Sequence, residues 1–150
     1  MSTLSHLAPQ KLWQLFDNIC AIPHPSKHEE KISAWIQSWA KNLGLAVKED
    51  EIGNILITKA ATQGMETRKG VILQAHMDMV PQKNADKAHD FLNDPIETSI
   101  FTDEGEEWVT ANGTTLGADN GIGLASALAV LASDDIAHGP LEVLVTIDEE

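Results

Sequence analysis

Two side chains that could bind a metal or move a proton follow a predicted strand. Residues 71–75 form an apolar run typical of a strand buried on both faces, and His76 and Asp78 come next. Because residues i and i+2 of a strand point to the same face, the imidazole and the carboxylate should emerge side by side. In open α/β sheets, ligands bind at the carboxyl ends of the strands. A histidine merely satisfied by a neighbouring acid would give the same pattern.

A third candidate, Asp119, lies in the glycine-rich segment 113–123. This segment lacks the Gly-Lys-Ser/Thr ending of a phosphate-binding loop, and its glycine spacing does not match the dinucleotide fingerprint. The run that follows, 122–132, is apolar and rich in small residues, which predicts a helix buried on most sides. A carboxylate at a helix N-terminus is favourable in any case, so Asp119 could be only a cap. Three glycines beside it are more than a cap usually requires.

Three consecutive acids, Asp148, Glu149 and Glu150, follow a second apolar run. Residues 141–147 have the pattern of another buried strand. Adjacent carboxylates at the end of a buried strand repel one another unless a cation shares them. A solvated acidic run is the alternative, although such runs do not usually come directly after a buried strand.

Together these segments should bring one imidazole and several carboxylates to one rim of an α/β layer structure. That combination of ligands is typical of a zinc or manganese site with an open position. A pair of metal ions needs a bridging carboxylate and a further free acid to deprotonate water. The sequence therefore indicates a metal-dependent hydrolase.

The composition is that of an ordinary soluble globular protein, with 150 residues, 43% of them hydrophobic and 22% charged. The formal net charge of -13 argues against binding to nucleic acid or to an anionic membrane. A single cysteine, Cys20, excludes an internal disulfide framework and is predicted to be a small core residue. The N-terminal residues lack the pattern of a secretory signal, so a cytoplasmic protein is expected.

Two amphipathic helices are predicted before the first candidate site. Pro9 suits the first position of a helix whose apolar stripe runs to Cys20. Ser26 and Glu29 have the spacing of a capping box for a second helix, which Gly44 should close. His24 and His28 lie in or beside the connecting loop, and we expect a structural or rim role for them. Short strands are predicted at 45–48, 54–58, 96–101 and 107–110.

Three of these segments resemble the signature segments of the di-zinc exopeptidases, a group that includes aminoacylase, carnosinase, peptidase T and acetylornithine deacetylase. They are His76-Met-Asp78, Gly117-Ala-Asp119-Asn120-Gly121 and Thr146-Ile-Asp-Glu149-Glu150. Longer stretches, Ile22 to Glu29, Gly53 to Ile57, Gln74 to Gln82 and Gly113 to Gly123, resemble bacterial aminoacyl-histidine dipeptidases. The resemblance covers essentially all 150 residues. It implies a phosphorylase/hydrolase-like α/β catalytic domain in which helices flank a mixed sheet.

The resemblance also implies a role for each candidate residue. His76 would ligate one zinc, Asp119 would bridge two zincs, and Glu150 would ligate the second. Asp78 would orient the His76 ring, and Glu149 would be the general base that takes a proton from the attacking water. Manganese or cobalt could substitute for zinc. A cis peptide is expected between Asp119 and Asn120.

The resemblance implies a longer protein, of which residues 1–150 would be the N-terminal part of the catalytic domain. The remainder would supply a further Asp and His ligand and a lid domain that dimerises. The 150-residue chain alone is therefore expected to bind metal weakly, to be inactive, and to associate through exposed apolar surface. The substrate that the resemblance implies is a dipeptide of the Xaa-His type, such as β-Ala-His. The alternatives are a related aminoacylase or deacylase, or a non-catalytic interaction module.

Overall fold

The computed structural model describes Leu4 and residues 6–150. In chain order its elements are α1 (Gln10–Cys20), α2 (Glu30–Asn42), β1 (Ala46–Glu49), β2 (Ile55–Lys59), β3 (Val71–His76), β4 (Thr98–Asp103), β5 (Glu106–Ala111), α3 (Ala118–Leu131) and β6 (Leu141–Thr146). This mixture of helices and strands confirms the predicted α/β class.

A four-stranded mixed sheet in the order β1-β2-β6-β3 organises the chain. Strand β6 runs antiparallel to β2 and parallel to β3. The β3–β6 register pairs Val71 with Leu141 and His76 with Thr146, so both strands end at the same level. The segments that carry the candidate residues therefore leave the sheet side by side, as the sequence predicted.

The prediction that β3 and β6 are buried on both faces is wrong. Along β6, buried residues alternate with half-buried ones, and β3 begins with the exposed residues Val71 and Ile72. In the part of the chain that is described, β3 is an edge strand, and the alternation shows that one face of the sheet is covered more deeply than the other.

Helices α1 and α2 follow from their apolar stripes. The buried residues of α1 are Leu15, Phe16, Ile19 and Cys20, which confirms the predicted core position of the cysteine. Burial raises the pKa of the Cys20 thiol to about 12. Pro9 lies one residue before α1 and not at its first position. Gly44 has the left-handed conformation expected of a residue that closes α2.

The predicted capping box before α2 is wrong. Helix α2 begins at Glu30, and no side chain caps its first turn. The Ser26 hydroxyl instead donates to the carbonyl oxygen of Glu150 at 3.0 Å. The Glu29 carboxylate accepts from the backbone amides of Lys27 and Asp148. Tertiary contacts with the end of β6 have replaced the local bonds that the spacing indicated.

The remaining strands form where the sequence predicted, with shifted ends. Strands β1 and β2 form an antiparallel hairpin that begins one residue later than expected. Strands β4 and β5 form a separate two-stranded sheet. Among the described residues, no helix is long and apolar enough to span a membrane.

Helix α3 starts earlier than the predicted residue 122. It begins at Ala118, but Asp119 and Asn120 depart from helical geometry. The peptide bond between these two residues is cis, as the resemblance implied. The rest of the helix is largely buried, as expected, and packs against α1 and β3.

Candidate metal centre

His76 lies at the end of β3 and is only 6% exposed. Its Nδ1 atom is 2.9 Å from the backbone carbonyl oxygen of Asp78. A carbonyl oxygen can only accept, so Nδ1 must carry the hydrogen and donate. This arrangement leaves the Nε2 lone pair of the neutral ring available for a metal ion.

Carboxylates surround the Nε2 atom of His76. Asp119 Oδ1 lies 3.0 Å from it and Glu149 Oε2 lies 3.7 Å from it. One ligand atom each from His76, Glu149 and Glu150 lie within 4.8 Å of one another. An imidazole nitrogen with carboxylate oxygens at these separations suits zinc or manganese, so the donor set fits the implied metal.

The electrostatics of this cluster favour a cation. Burial alone would lower the pKa of His76. The hydrogen bond to Asp119, the carbonyl of Asp78 and the charges of Asp78 and Glu149 outweigh burial, so the pKa of His76 is raised. The carboxylates therefore stabilise positive charge at Nε2, whether it is brought by a proton or by a metal ion.

The Asp78 carboxylate lies closer to the backbone of Glu149 and Glu150 than to the ring of His76. Its Oδ1 atom is 3.4 Å from His76 Nδ1, whose hydrogen bond goes to the backbone carbonyl. The carboxylate accepts from the backbone amides of Glu149 at 3.2 Å and Glu150 at 3.0 Å. Burial opposes ionisation of Asp78, but these two amides hold its pKa below the usual value. Asp78 thus joins the ends of β3 and β6.

Asp119 projects from the turn that opens α3, and its side chain is 86% exposed. The turn is set by Gly117, whose φ of 72° is left-handed, and a side chain there would meet Met79 Sδ at 3.0 Å. Asp119 therefore reaches the Nε2 atom of His76 from the start of α3, whereas Glu149 and Glu150 follow β6. A small cavity of about 230 Å³, lined in part by Gly117, Asp119 and Glu150, opens beside it.

His24 does not join this cluster. It is 3% exposed, and its Nδ1 atom bonds to the carbonyl oxygen of Ile22. Burial lowers the pKa of His24 below its usual value. A neutral ring fixed to its own loop agrees with the structural role expected from the sequence.

Three residues around the cluster were not predicted as part of it. Asn54 Oδ1 accepts from the backbone amide of Ile147 at 3.1 Å, and Ser26 and Glu29 bond to Glu150 and Asp148. These partners lie 93 to 124 residues apart in the chain. Local spacing carries no signal for such contacts. Ser26 and Glu29 have the spacing of a capping box but do not cap α2. Only the observed start of that helix shows that their side chains are available for other partners.

Comparison with known proteins agrees with the resemblance noted in the sequence, although no family model matches the chain. The chain is 63% identical over 150 residues to the cytosol non-specific dipeptidase of Escherichia coli K12, covering 100% of this chain and 30% of that protein. The chain thus spans about a third of the length of this relative. The two share enough identity that the same fold is expected over the whole chain.

Solved structures give the same result. The aminoacylhistidine dipeptidase of Vibrio alginolyticus superposes with a TM-score of 0.92 at 62% identity, covering 98% of this chain and 29% of that one. A tripeptidase of Staphylococcus aureus superposes with a TM-score of 0.69 at 26% identity, covering 93% of this chain and 36% of that one. The predicted resemblance to aminoacyl-histidine dipeptidases is confirmed.

Proposed function

We propose that this chain forms the N-terminal part of the catalytic domain of a zinc-dependent dipeptidase. The observation that carries the proposal is the cluster at the shared end of β3 and β6. There the Nε2 atom of His76 lies 3.0 Å from Asp119 Oδ1 and 3.7 Å from Glu149 Oε2, and Glu150 is in reach. Similarity to two dipeptidases over essentially the whole chain supports the same conclusion.

His76, Asp119 and Glu150 would hold the metal, with Asp119 between two ions and the missing ligands supplied by further residues of the protein. When bound, zinc lowers the pKa of a water molecule and polarises a carbonyl group. Manganese or cobalt would fill the same role at this set of ligands.

The residues of this chain would transfer the proton of the attacking water and hold one another in position. Glu149, whose side chain is 60% exposed, would accept a proton from the water that attacks the peptide carbonyl carbon. It would then pass the proton to the amine nitrogen as the C–N bond breaks. The backbone carbonyl of Asp78 fixes the His76 tautomer. The Asp78 carboxylate accepts from the backbone amides of Glu149 and Glu150 and so positions these two residues. The acid that moves the proton is thereby kept beside the acid that binds the metal.

We infer that the substrate is a dipeptide, with Xaa-His dipeptides such as β-Ala-His as the first candidates. The Vibrio relative is named an aminoacylhistidine dipeptidase, whereas the E. coli relative is named a non-specific dipeptidase. We further propose that the longer protein is cytosolic and forms a homodimer. We expect it to bind neither nucleic acid nor membranes. A related aminoacylase or deacylase would use the same cluster on an acylated amino acid.

A chimera tests this function. Residues 1–150 would replace the matching segment of the E. coli dipeptidase, and hydrolysis of β-Ala-His would be measured with and without zinc. We expect zinc-dependent hydrolysis by the chimera and none by the 150-residue chain alone. Glu149→Gln should reduce kcat by at least about 100-fold, as expected for loss of a general base, while zinc stays bound.

Two results would contradict the proposal. A folded, zinc-loaded chimera that hydrolyses no dipeptide would favour the non-catalytic module. Hydrolysis of N-acyl amino acids in place of dipeptides would favour the aminoacylase. Glu142→Gln, the same change at a half-buried position within β6, serves as the control and should leave kcat unchanged.

A further inference from the structure

The segment 147–150 carries two of the candidate residues but lies beyond the paired part of the sheet. The last β3–β6 pair is His76 with Thr146. Each of the next four backbone amides donates to a side-chain oxygen. Ile147 donates to Asn54, Asp148 to Glu29, and Glu149 and Glu150 to Asp78. The placement of the two glutamates therefore depends on side chains and not on the sheet ladder.

Glu29 is the least expected of these acceptors. It is 7% exposed, and the proposed chemistry gives it no contact with substrate or metal. A buried carboxylate is costly unless it is hydrogen-bonded. Its Oε1 atom accepts from Lys27 N at 3.1 Å and from Asp148 N at 3.2 Å. One oxygen atom thus ties the loop before α2 to the end of β6.

The two residues that donate to Glu29 share an unusual backbone conformation. Lys27 has a φ of 73° and Asp148 a φ of 54°, both left-handed and neither a glycine. Their side chains also meet, with Lys27 Nζ 3.0 Å from Asp148 Oδ2. That ion pair lies at the surface, where such pairs contribute little, so the buried Glu29 is the stronger constraint. Asp148 lies between Thr146, the last paired residue of β6, and Glu149, whose carboxylate is 3.7 Å from His76 Nε2.

We propose that Glu29 is a positioning residue for the metal centre. It holds Asp148 in the left-handed conformation and so presents Glu149 and Glu150 to the Nε2 side of His76. The assignment rests on the proposed function, because it gives Glu29 a role in that centre. The assignment also goes beyond the proposed function, because Glu29 belongs to none of the segments that carry the metal ligands.

Two measurements on the chimera with the E. coli dipeptidase test this role. The amide resonances of residues 147–150 report the local backbone in the absence of metal, and calorimetric titration with zinc reports the site. Glu29→Ala should shift the Asp148, Glu149 and Glu150 resonances and weaken zinc binding about 10- to 100-fold, the range found for outer-shell partners. Glu29→Gln keeps an acceptor oxygen, so its resonances and its zinc affinity should stay close to those of the unsubstituted protein.

A destabilised core variant separates positioning from general stability. Ile57 is fully buried in the middle of β2, opposite Val143, and Ile57→Val should lower stability without changing zinc affinity. Equal losses of zinc affinity in Ile57→Val and Glu29→Ala would overturn the proposal. So would unchanged resonances at 148–150 in Glu29→Ala. If the unsubstituted chimera bound no zinc, the proposed function would fail, and the resonances alone would decide whether Glu29 sets the turn.

Discussion

At the scale of single residues, the chemistry of His76 is set by one backbone atom. The carbonyl of Asp78 accepts from Nδ1, so the Nε2 atom is left to face Asp119 and Glu149. The sequence predicted that His76 and Asp78 would meet, because residues two apart on a strand share a face. It did not predict that the Asp78 carboxylate would turn toward Glu149 and Glu150, since that contact joins residues 71 and 72 positions apart.

Replacement of Asp78 by asparagine should lower stability at neutral pH by about 2 kcal/mol. The asparagine side chain has one acceptor oxygen for the two partly buried backbone amides that now bond to separate carboxylate oxygens. The pKa of Asp78 is depressed, so its charge stabilises the fold above the ordinary aspartate pKa of about 4, and this contribution is lost as pH falls through the depressed value. The difference between the variant and the unsubstituted chain should therefore narrow in acid. Urea denaturation at pH 7 and pH 3 would measure it.

Asp86→Asn is the matched control, because Asp86 is exposed. It should change stability by less than about 0.5 kcal/mol at either pH. If Asp78→Asn behaved like this control, the Asp78 carboxylate would not be the link between β3 and β6.

At the scale of elements, the candidate site depends on β3 and β6 being parallel and in register. The apolar runs predicted both strands, and the acids after them predicted where ligands would gather. The strand order was not predictable, because the local sequence of β3 does not indicate that it is an edge strand. The start of α3 was also missed. Its first residues combine a cis peptide with non-helical Asp119 and Asn120, so helical periodicity begins later than the element.

A pair of glycines tests how tightly the α3 turn is coupled to the site. Gly44 and Gly117 have nearly the same left-handed φ, 73° and 72°, but only Gly117 is packed, against Met79. Gly44→Ala should cost about 1 kcal/mol for the backbone conformation alone and leave zinc affinity unchanged. Gly117→Ala should cost more and weaken zinc binding, because the contact with Met79 displaces the turn that carries Asp119.

Urea denaturation and zinc calorimetry on both variants would check this. Equal stability losses with equal zinc affinities would show that the packing of Gly117 on Met79 does not place Asp119.

At the scale of the whole molecule, one sheet edge stays open in the part of the chain that is described. Val71 and Ile72 of β3 are 51% and 64% exposed, and β3 has β6 as its only neighbour within the described sheet. Exposed apolar edge strands pair with other chains. This is the physical basis for the expected self-association, and the chain spans only 30% of the E. coli dipeptidase that it matches.

Ile72→Lys should shift the 150-residue chain toward monomer, because a charge on an edge strand opposes pairing. Sedimentation velocity over a range of concentrations would measure the change. Ile52→Lys is the control, since Ile52 is 70% exposed but lies in the β1–β2 turn. Association that persists in Ile72→Lys, or that Ile52→Lys abolishes equally, would place the contact elsewhere.

The central claim is that His76, Asp119 and Glu150 hold zinc beside the base Glu149. Anomalous diffraction from zinc-soaked crystals of the chimera tests it most directly. The predicted result is an anomalous peak about 2.1 Å from His76 Nε2, within reach of the surrounding carboxylates, with the Nδ1 bond to Asp78 intact. A zinc ion bound instead at His24 or His28, with His76 Nε2 still paired to Asp119, would contradict the claim.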